Sequence, residues 1–260
     1  MLPAYFLCSR LPAFAAAAEF RKRGFSPGDL WTFFYLGFFG VVINQMCFTI
    51  SLGHTSVSHA AVIVGMGPIY TLALAVMFRL EKATWRKATG MGIAFAGVAV
   101  LASENGISLH SPSLLGDAIA MTGAIGFATY VVLGKRVVER YDALTITAFN
   151  HFAGALVVLP VAIHEIRVSR LAARWREIPW QSWAAVLYMV IFSSVVAYLF
   201  YFWLLRYLEA SQLSAFTYLL PVVATILGIV LLGERGSPMQ ILGGVLALAG
   251  VYWVESGRDQ

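Results

Sequence analysis

Few side chains in this 260-residue chain can do chemistry, and they stand apart inside long apolar runs. Histidine is the residue type within these runs whose ordinary pKa lies near neutrality; His59 falls near a helix end, while His151 lies deep enough to take up and release a proton inside the membrane. It lies eight residues into the apolar run 143–164, about 12 Å at ~1.5 Å per residue. Asn150 precedes it with an amide. In the run 31–53, Asn44 and Gln45 offer further amides, and Gly37, Gly40, Asn44, Phe48 and Ser51 recur at spacings of three and four. That recurrence makes one small-and-polar helix face. Ser193, Ser194, Tyr198 and Tyr201 lie in the run 182–206, and Tyr130 lies with Gly123 and Gly126 in the run 114–134. Tyrosines of this kind make an amphipathic pocket for a small, partly apolar solute. The chemistry on offer is hydrogen bonding to a solute and movement of a proton. Paired acids, HExxH and nucleophile motifs are missing from the sequence, which argues against an enzyme. Cys8 and Cys47 sit in apolar runs and imply neither a disulfide framework nor a metal site. No cofactor is expected.

Each of these groups also has a plain structural reading. His151 can be a neutral imidazole bonded to a neighbouring helix beside Asn150. Asn44 and Gln45 can bridge helices while the glycines permit close approach. A stripe of aromatics is ordinary packing, and Trp203 and Tyr207 near a helix end fit an interfacial belt. Asp117 stands at the entrance of the run 114–134. Proton coupling would have to use His151, Asp117 or an added partner.

The elements that position these residues follow from composition. Hydrophobic residues make up 60% of the chain, charged residues 12%, and the mean hydropathy is +0.78, which makes lipid the solvent. The net charge of +5 does not point to nucleic acid, because the basic residues fall in clusters between apolar runs. Those runs are 31–53, 57–80, 88–103, 114–134, 143–164, 182–206, 211–233 and 239–254, most near the ~20 residues a bilayer requires. Residues 1–18 read as a further span rather than a signal peptide, since Arg10 interrupts their apolar centre. The expectation is an all-α polytopic membrane bundle with nine spans present.

An offset of 153 positions carries Pro68 onto Pro221, Glu81 onto Glu234, Ser58 onto Ser211 and Gly90 onto Gly243. This is a duplication: a first repeat at 1–103, a linker at 104–113 and a second repeat at 114–260. The unit holds five helices, and an odd unit inserts its second copy inverted. The counterpart of 114–134 would precede Met1, so ten spans are expected in the full form. Pro68 and Pro221, read as interior to their helices, are candidate hinges or static kinks. Glu81 and Glu234 fall at opposite membrane faces and read as structural, Glu81 pairing with Lys82 or Arg86 and Glu234 with Arg235. The loops at 19–30, 79–89, 135–142 and 206–211 and the C-terminus hold most of the Lys and Arg, which sets the C-terminus in the cytoplasm. The arginine-rich 165–181 on the other side reads either as an amphipathic surface helix or as a solvated linker.

The segment YLFYFWLLRYLEASQLSAFTYLLPVVATILGIVLLGER at 198–235, with GGVLALAGV after it, resembles the EamA-type permeases of the drug/metabolite transporter superfamily. INQMCFTISLGHTSVSHAAVIVGMGPIY and GIAFAGVAVL in the first copy resemble them too, as does SRLPAFAAAAEFRKRG, with Arg10 at the family's usual arginine. The resemblance covers nearly the whole chain. It implies a ten-helix inner-membrane carrier of inverted repeats, both termini cytoplasmic, with a central substrate cavity. The expected function is alternating-access transport, in the export direction, of a small metabolite that is amino-acid-like or aromatic. An inactive truncated carrier fragment and a membrane-embedded enzyme are the alternatives. The expected partners are the solute and the bilayer, with the chain a monomer or homodimer.

Overall fold

The computed structural model describes residues 27–55, 57–103, 114–168, 178–232 and 237–256, which hold helices and no strand. The expected span at 1–18, the linker 104–113, residues 169–177 of the arginine-rich segment, and Glu234 lie outside the described residues. Each apolar run from residue 31 onward is helical over most of its described residues. In order these are α1 (Gly28–Ser51), α2 (Val57–Gly65), α3 (Gly67–Met77), α4 (Trp85–Ser103), α5 (Leu114–Val137), α6 (Ala143–Val168) and α7 (Trp180–Tyr207). Then come α8 (Ala210–Ala215, a 3-10 turn at Phe216–Tyr218, then Leu219–Leu232) and α9 (Pro238–Glu255). Six of the described segments are long and apolar enough to cross a membrane, and Val62–Met77 is a shorter apolar stretch.

The helices are large and apolar on their exposed sides and small where they are buried. On α9, Ile241, Val245, Leu248 and Tyr252 are exposed while Gly243, Ala247 and Gly250 are buried. On α8, Leu220, Val223, Leu227 and Val230 are exposed. In water this apolar surface would cost ~25 cal/mol per Å². In hydrocarbon it costs nothing, and association falls to close packing of small residues. The protein is a helical membrane bundle.

The chain divides into two compact units, residues 1–42 with 133–207 and residues 43–132 with 208–260. In the first unit, α1 packs on α6. A Cβ placed on Gly37 would stand 2.6 Å from the Asn150 carbonyl oxygen and 2.8 Å from the Gly154 amide, so only glycine allows this approach. Phe33 stacks edge-on to Tyr141 at 5.2 Å and lies 5.3 Å from Phe149.

The second unit is built on α4 and α9, which run antiparallel. A Cβ on Gly90 would meet the Gly250 carbonyl oxygen at 2.9 Å, and one on Gly97 would meet that of Gly243 at 2.6 Å. Position therefore falls along α9 as it rises along α4. The 153-residue offset carries Gly90 to Gly243 and Gly97 to Gly250, turning each contact into the other. Around this seam Leu72, Met91, Ala94, Tyr218, Val222 and Ala247 form the buried core. Thr84 and Ser237, also equivalent, begin the two helices alike. Thr84 Oγ1 accepts from the Lys87 amide at 3.3 Å and Ser237 Oγ from the Gln240 amide at 3.2 Å, each satisfying one amide that the helix leaves open.

The prolines do not lie inside continuous helices as the sequence implied. α2 stops at Gly65 and α3 restarts at Gly67 with Pro68 in its first turn, where a missing N–H costs nothing. Pro221 follows the 3-10 turn and is the third residue of the restarted segment. A second pair of irregularities carries no proline at all. π-helical turns occupy Phe38–Ile43 of α1 and Met189–Val196 of α7, and the repeat offset carries 38–43 onto 191–196.

α3 ends on Arg79 in the left-handed region (φ 57). The Leu80 amide bonds to the Ala75 carbonyl at 2.9 Å and the Arg79 amide to the Val76 carbonyl at 2.9 Å. This is the Schellman closure, which favours glycine at the left-handed position. Arg79→Gly is expected to raise stability by about 0.5–1 kcal/mol, relief of the left-handed penalty outweighing the added chain entropy. Thermal unfolding in detergent checks it, and an unchanged or lower midpoint contradicts the assignment.

Candidate functional site

In the first unit the structure brings His151 of α6 and Tyr198 of α7 together. Their rings meet edge to face, centroids 4.9 Å apart and planes at 86°. His151 is buried, and its Nδ1 lies 2.8 Å from the carbonyl oxygen of Thr147. A carbonyl only accepts, so Nδ1 carries the hydrogen. The sequence reading offered a partner on a neighbouring helix; the Thr147 carbonyl lies one turn back on the histidine's own helix. The i−4 carbonyl of a helix lies within reach of a side chain at i, which helix periodicity alone does not decide. Asn150 is fully buried beside it. Tyr201, one turn on from Tyr198, is half-buried, whereas Ser193 in the π-turn is exposed.

In the second unit Asn44 and Gln45 are half-buried and open the α-helical segment that follows the π-turn of α1. The backbone there is held by α5: a Cβ on Gly123 would contact Cys47 Cβ at 3.2 Å and the Asn44 carbonyl oxygen at 3.3 Å. Phe48 is 36% exposed, one turn further along. Tyr130 is fully buried, its ring 6.0 Å from Phe127. Of the small-and-polar face of α1, Gly37 and Gly40 are buried and Ser51 bonds its own helix at the Phe48 carbonyl, 2.7 Å away. Asp117 sits in the first turn of α5 and accepts from Thr55 Oγ1 at 2.6 Å. The two π-turns stand just before Asn44 and just before Ala197 and Tyr198, so Asn44 and Gln45 on α1 and Tyr198 and Tyr201 on α7 each follow such an irregularity. Such turns shift the helix phase by one residue and gather at functional sites.

One polar cluster escaped the sequence reading. Glu81 pairs with Lys87 Nζ at 2.9 Å, and not with Lys82 or Arg86. It also accepts from the Ser211 amide at 3.1 Å and from the Ser211 hydroxyl. Lys87 forms a second ion pair with Glu209. Both Glu81 and Lys87 are nearly buried. Lys87, one residue before the apolar run 88–103, titrates above the ordinary lysine range: burial alone would lower it, and the hydrogen bonds to Glu209 and Glu81 outweigh that. Arg86 turns instead to the Ser256 carbonyl at 3.3 Å and lies over Trp253 at 5.8 Å. The cap at Thr84 sets the phase of α4 and so decides that position 87 turns inward.

Residues 1–103 and 114–256 match the model of the EamA-like transporter family. The chain belongs to the EamA-like transporter family. Several of its relatives carry the names of transporters. It is 29% identical over 230 residues to an uncharacterized transporter of Archaeoglobus fulgidus, covering 88% of this chain and 79% of that protein. It is 30% identical over 222 residues to the uncharacterized transporter YyaM of Bacillus subtilis, covering 85% and 71%. A probable terminal-alkyne amino-acid exporter of Streptantibioticus cattleyicolor is 26% identical over 204 residues, covering 77% and 65%. A solved crystal structure shares the fold with a TM-score of 0.74 at 17% identity, over 97% of this chain and 86% of that one. This EamA-family chain is thus a multi-pass membrane transporter, with the bilayer and a small molecule as its partners. Transporter names among the relatives accord with a carrier rather than a catalyst.

Proposed function

We propose that this transporter exports a small amino-acid-like or aromatic metabolite across the inner membrane by alternating access between two inverted repeats. The observation that carries the reading is the antiparallel seam of α4 and α9, whose glycine contacts exchange under the repeat offset. Equivalent helices that run antiparallel are what an inverted duplication produces. The class of solute draws on the tyrosines and amides of the candidate residues and on the name of the Streptantibioticus relative. The solute-contacting residues are Asn44, Gln45, Phe48, Tyr198 and Tyr201, with Tyr130, Asn150 and Ser193 in support. The hinges are the restarts at Pro68 and Pro221, and the C-terminus is cytoplasmic. In proteoliposomes made with this chain, labelled aromatic amino acid is expected to exchange with unlabelled, above the rate of empty vesicles. Absence of exchange across a panel of amino acids, with the protein folded and inserted, overturns the solute assignment.

His151 serves this site by holding the Tyr198 ring and not by carrying a coupled proton. Its replacement in His151→Gln loses an edge-to-face pair of about 0.5–1.5 kcal/mol, which raises KM about 2- to 12-fold. Uptake in the variant keeps its response to an imposed pH gradient. Loss of that response with KM unchanged assigns the proton to His151 instead.

A further inference from the structure

Asp29 is the second residue of α1 and Arg136 the last but one of α5, each helix being 24 residues long. At ~1.5 Å per residue such a helix reaches about 36 Å, beyond the ~30 Å of bilayer hydrocarbon. The ends that carry Asp29 and Arg136 therefore stand at headgroup depth. Between them and the turn after α5 lies a cleft of about 430 Å³, lined in part by Phe33, Tyr35 and Leu133. It lies wholly within the first unit, and none of its lining residues is among those proposed to contact the solute.

Its charges are two of each sign: Asp29, Glu139, Arg136 and Arg140. The Val138 amide bonds to the Gly134 carbonyl and the Tyr141 amide to the Val137 carbonyl, each at 3.0 Å, so helical winding continues past Val137. That winding puts Arg136 and Arg140 one turn apart on one side, the arrangement in which paired guanidiniums clamp a phosphate. Asp29 comes from the other helix. Tyr141 donates its hydroxyl to Asp29 Oδ2 at 2.5 Å, which fixes the carboxylate in place. Burial first, and then Asp29, push the Tyr141 hydroxyl up to about 12, so it remains a donor. Beside the cleft, Leu30, Trp31 and Tyr35 are 50%, 64% and 50% exposed, an aromatic and apolar surface suited to the membrane interface. Tyr35 belongs both to that surface and to the cleft lining.

We infer that this cleft binds the headgroup of a phospholipid carrying a primary amine, the phosphate on Arg136 and Arg140 and the ammonium on Asp29 and Glu139. A glycerol headgroup brings no cation to the two carboxylates and adds a further negative charge beside them. A choline headgroup has no N–H to give them. Basic pockets at helix ends hold lipid headgroups by the same forces, and here the carboxylates add selection for the amine.

Native mass spectrometry of the purified chain tests this, after exchange into nanodiscs of equal phosphatidylethanolamine, phosphatidylglycerol and phosphatidylcholine. Phosphatidylethanolamine is expected to be retained roughly tenfold over phosphatidylcholine, the worth of one charge-assisted hydrogen bond. Arg136→Gln with Arg140→Gln removes that retention, and Arg140→Gln alone, in an exposed turn, reduces it. Asp29→Asn loses the preference over phosphatidylglycerol, while Arg206→Gln, exposed at the end of α7, changes nothing. Thermal unfolding of each variant verifies that it is folded. Equal retention of the three lipids, a preference for phosphatidylglycerol, or full retention in Arg140→Gln overturns the inference. Displacement by soluble O-phosphoethanolamine at matched concentration overturns the lipid as the source.

Discussion

Gly97→Leu is expected to leave no folded protein. The first atom of any side chain at 97 would stand 2.6 Å from the Gly243 carbonyl oxygen and 3.0 Å from Ala247 Cα. Both are backbone and cannot swing aside, so α4 and α9 must part along the seam. Parting them opens the core of Ala94, Val98, Val251 and Val254. Forcing a group into packed space costs about 1–3 kcal/mol for small insertions, and in lipid no hydrophobic effect draws the helices back together. Gly97→Ala should lower the unfolding midpoint by roughly 2–12 °C. Gly97→Leu should elute as aggregate in size-exclusion chromatography. Gly92→Ala is the control, since nothing lies within 4 Å of its Cβ. A monodisperse Gly97→Leu with an unchanged midpoint contradicts the seam.

Lys87→Met carries the second large effect. It strands Glu81, whose side chain is 3% exposed, with Ser211 as donor but no cation, and it leaves Glu209 as a nearby like charge. Breaking one side of a buried ion pair costs about 3–5 kcal/mol. Glu209→Gln should cost far less, because its side chain is 45% exposed and solvent screens it. The sign of the pH dependence follows from the direction of the Lys87 shift. A raised folded value stabilises fully below the ordinary lysine range, ~10.4, and the contribution is lost as pH rises through the folded value. The unfolding midpoint of the parent should therefore fall at alkaline pH beyond that range, and Lys87→Met should lack this component. Equal midpoints for the parent and Lys87→Met at pH 7 contradict the role assigned to the pair.

The helices and their membrane class were legible because both rest on composition and run length, which survive any detail of packing. The seam was half legible: the matched glycines at 90, 97, 243 and 250 were visible, but which faces which depends on helix direction. Pro68 and Pro221 were located by sequence and misread in effect, since a proline marks a break without saying whether it falls before or at the residue. The π-turns at Phe38–Ile43 and Met189–Val196 left no trace, because one inserted residue barely disturbs the hydrophobic period of a helix apolar on every side. The partner of Glu81 was missed for want of a helix phase. Lys82, Arg86 and Lys87 all follow Glu81 closely in sequence, and only the start of α4 at Trp85 turns the last of them inward.

The inverted arrangement underlies the proposed mechanism, and membrane sidedness tests it most directly. Single cysteines at Lys82 and at Arg235, in a chain whose Cys8 and Cys47 are replaced by alanine, can be labelled with a membrane-impermeant thiol reagent in sealed vesicles of known orientation. The account predicts that one site reacts from outside and the other only after the vesicles are opened. Reaction of both sites from the same side would contradict it.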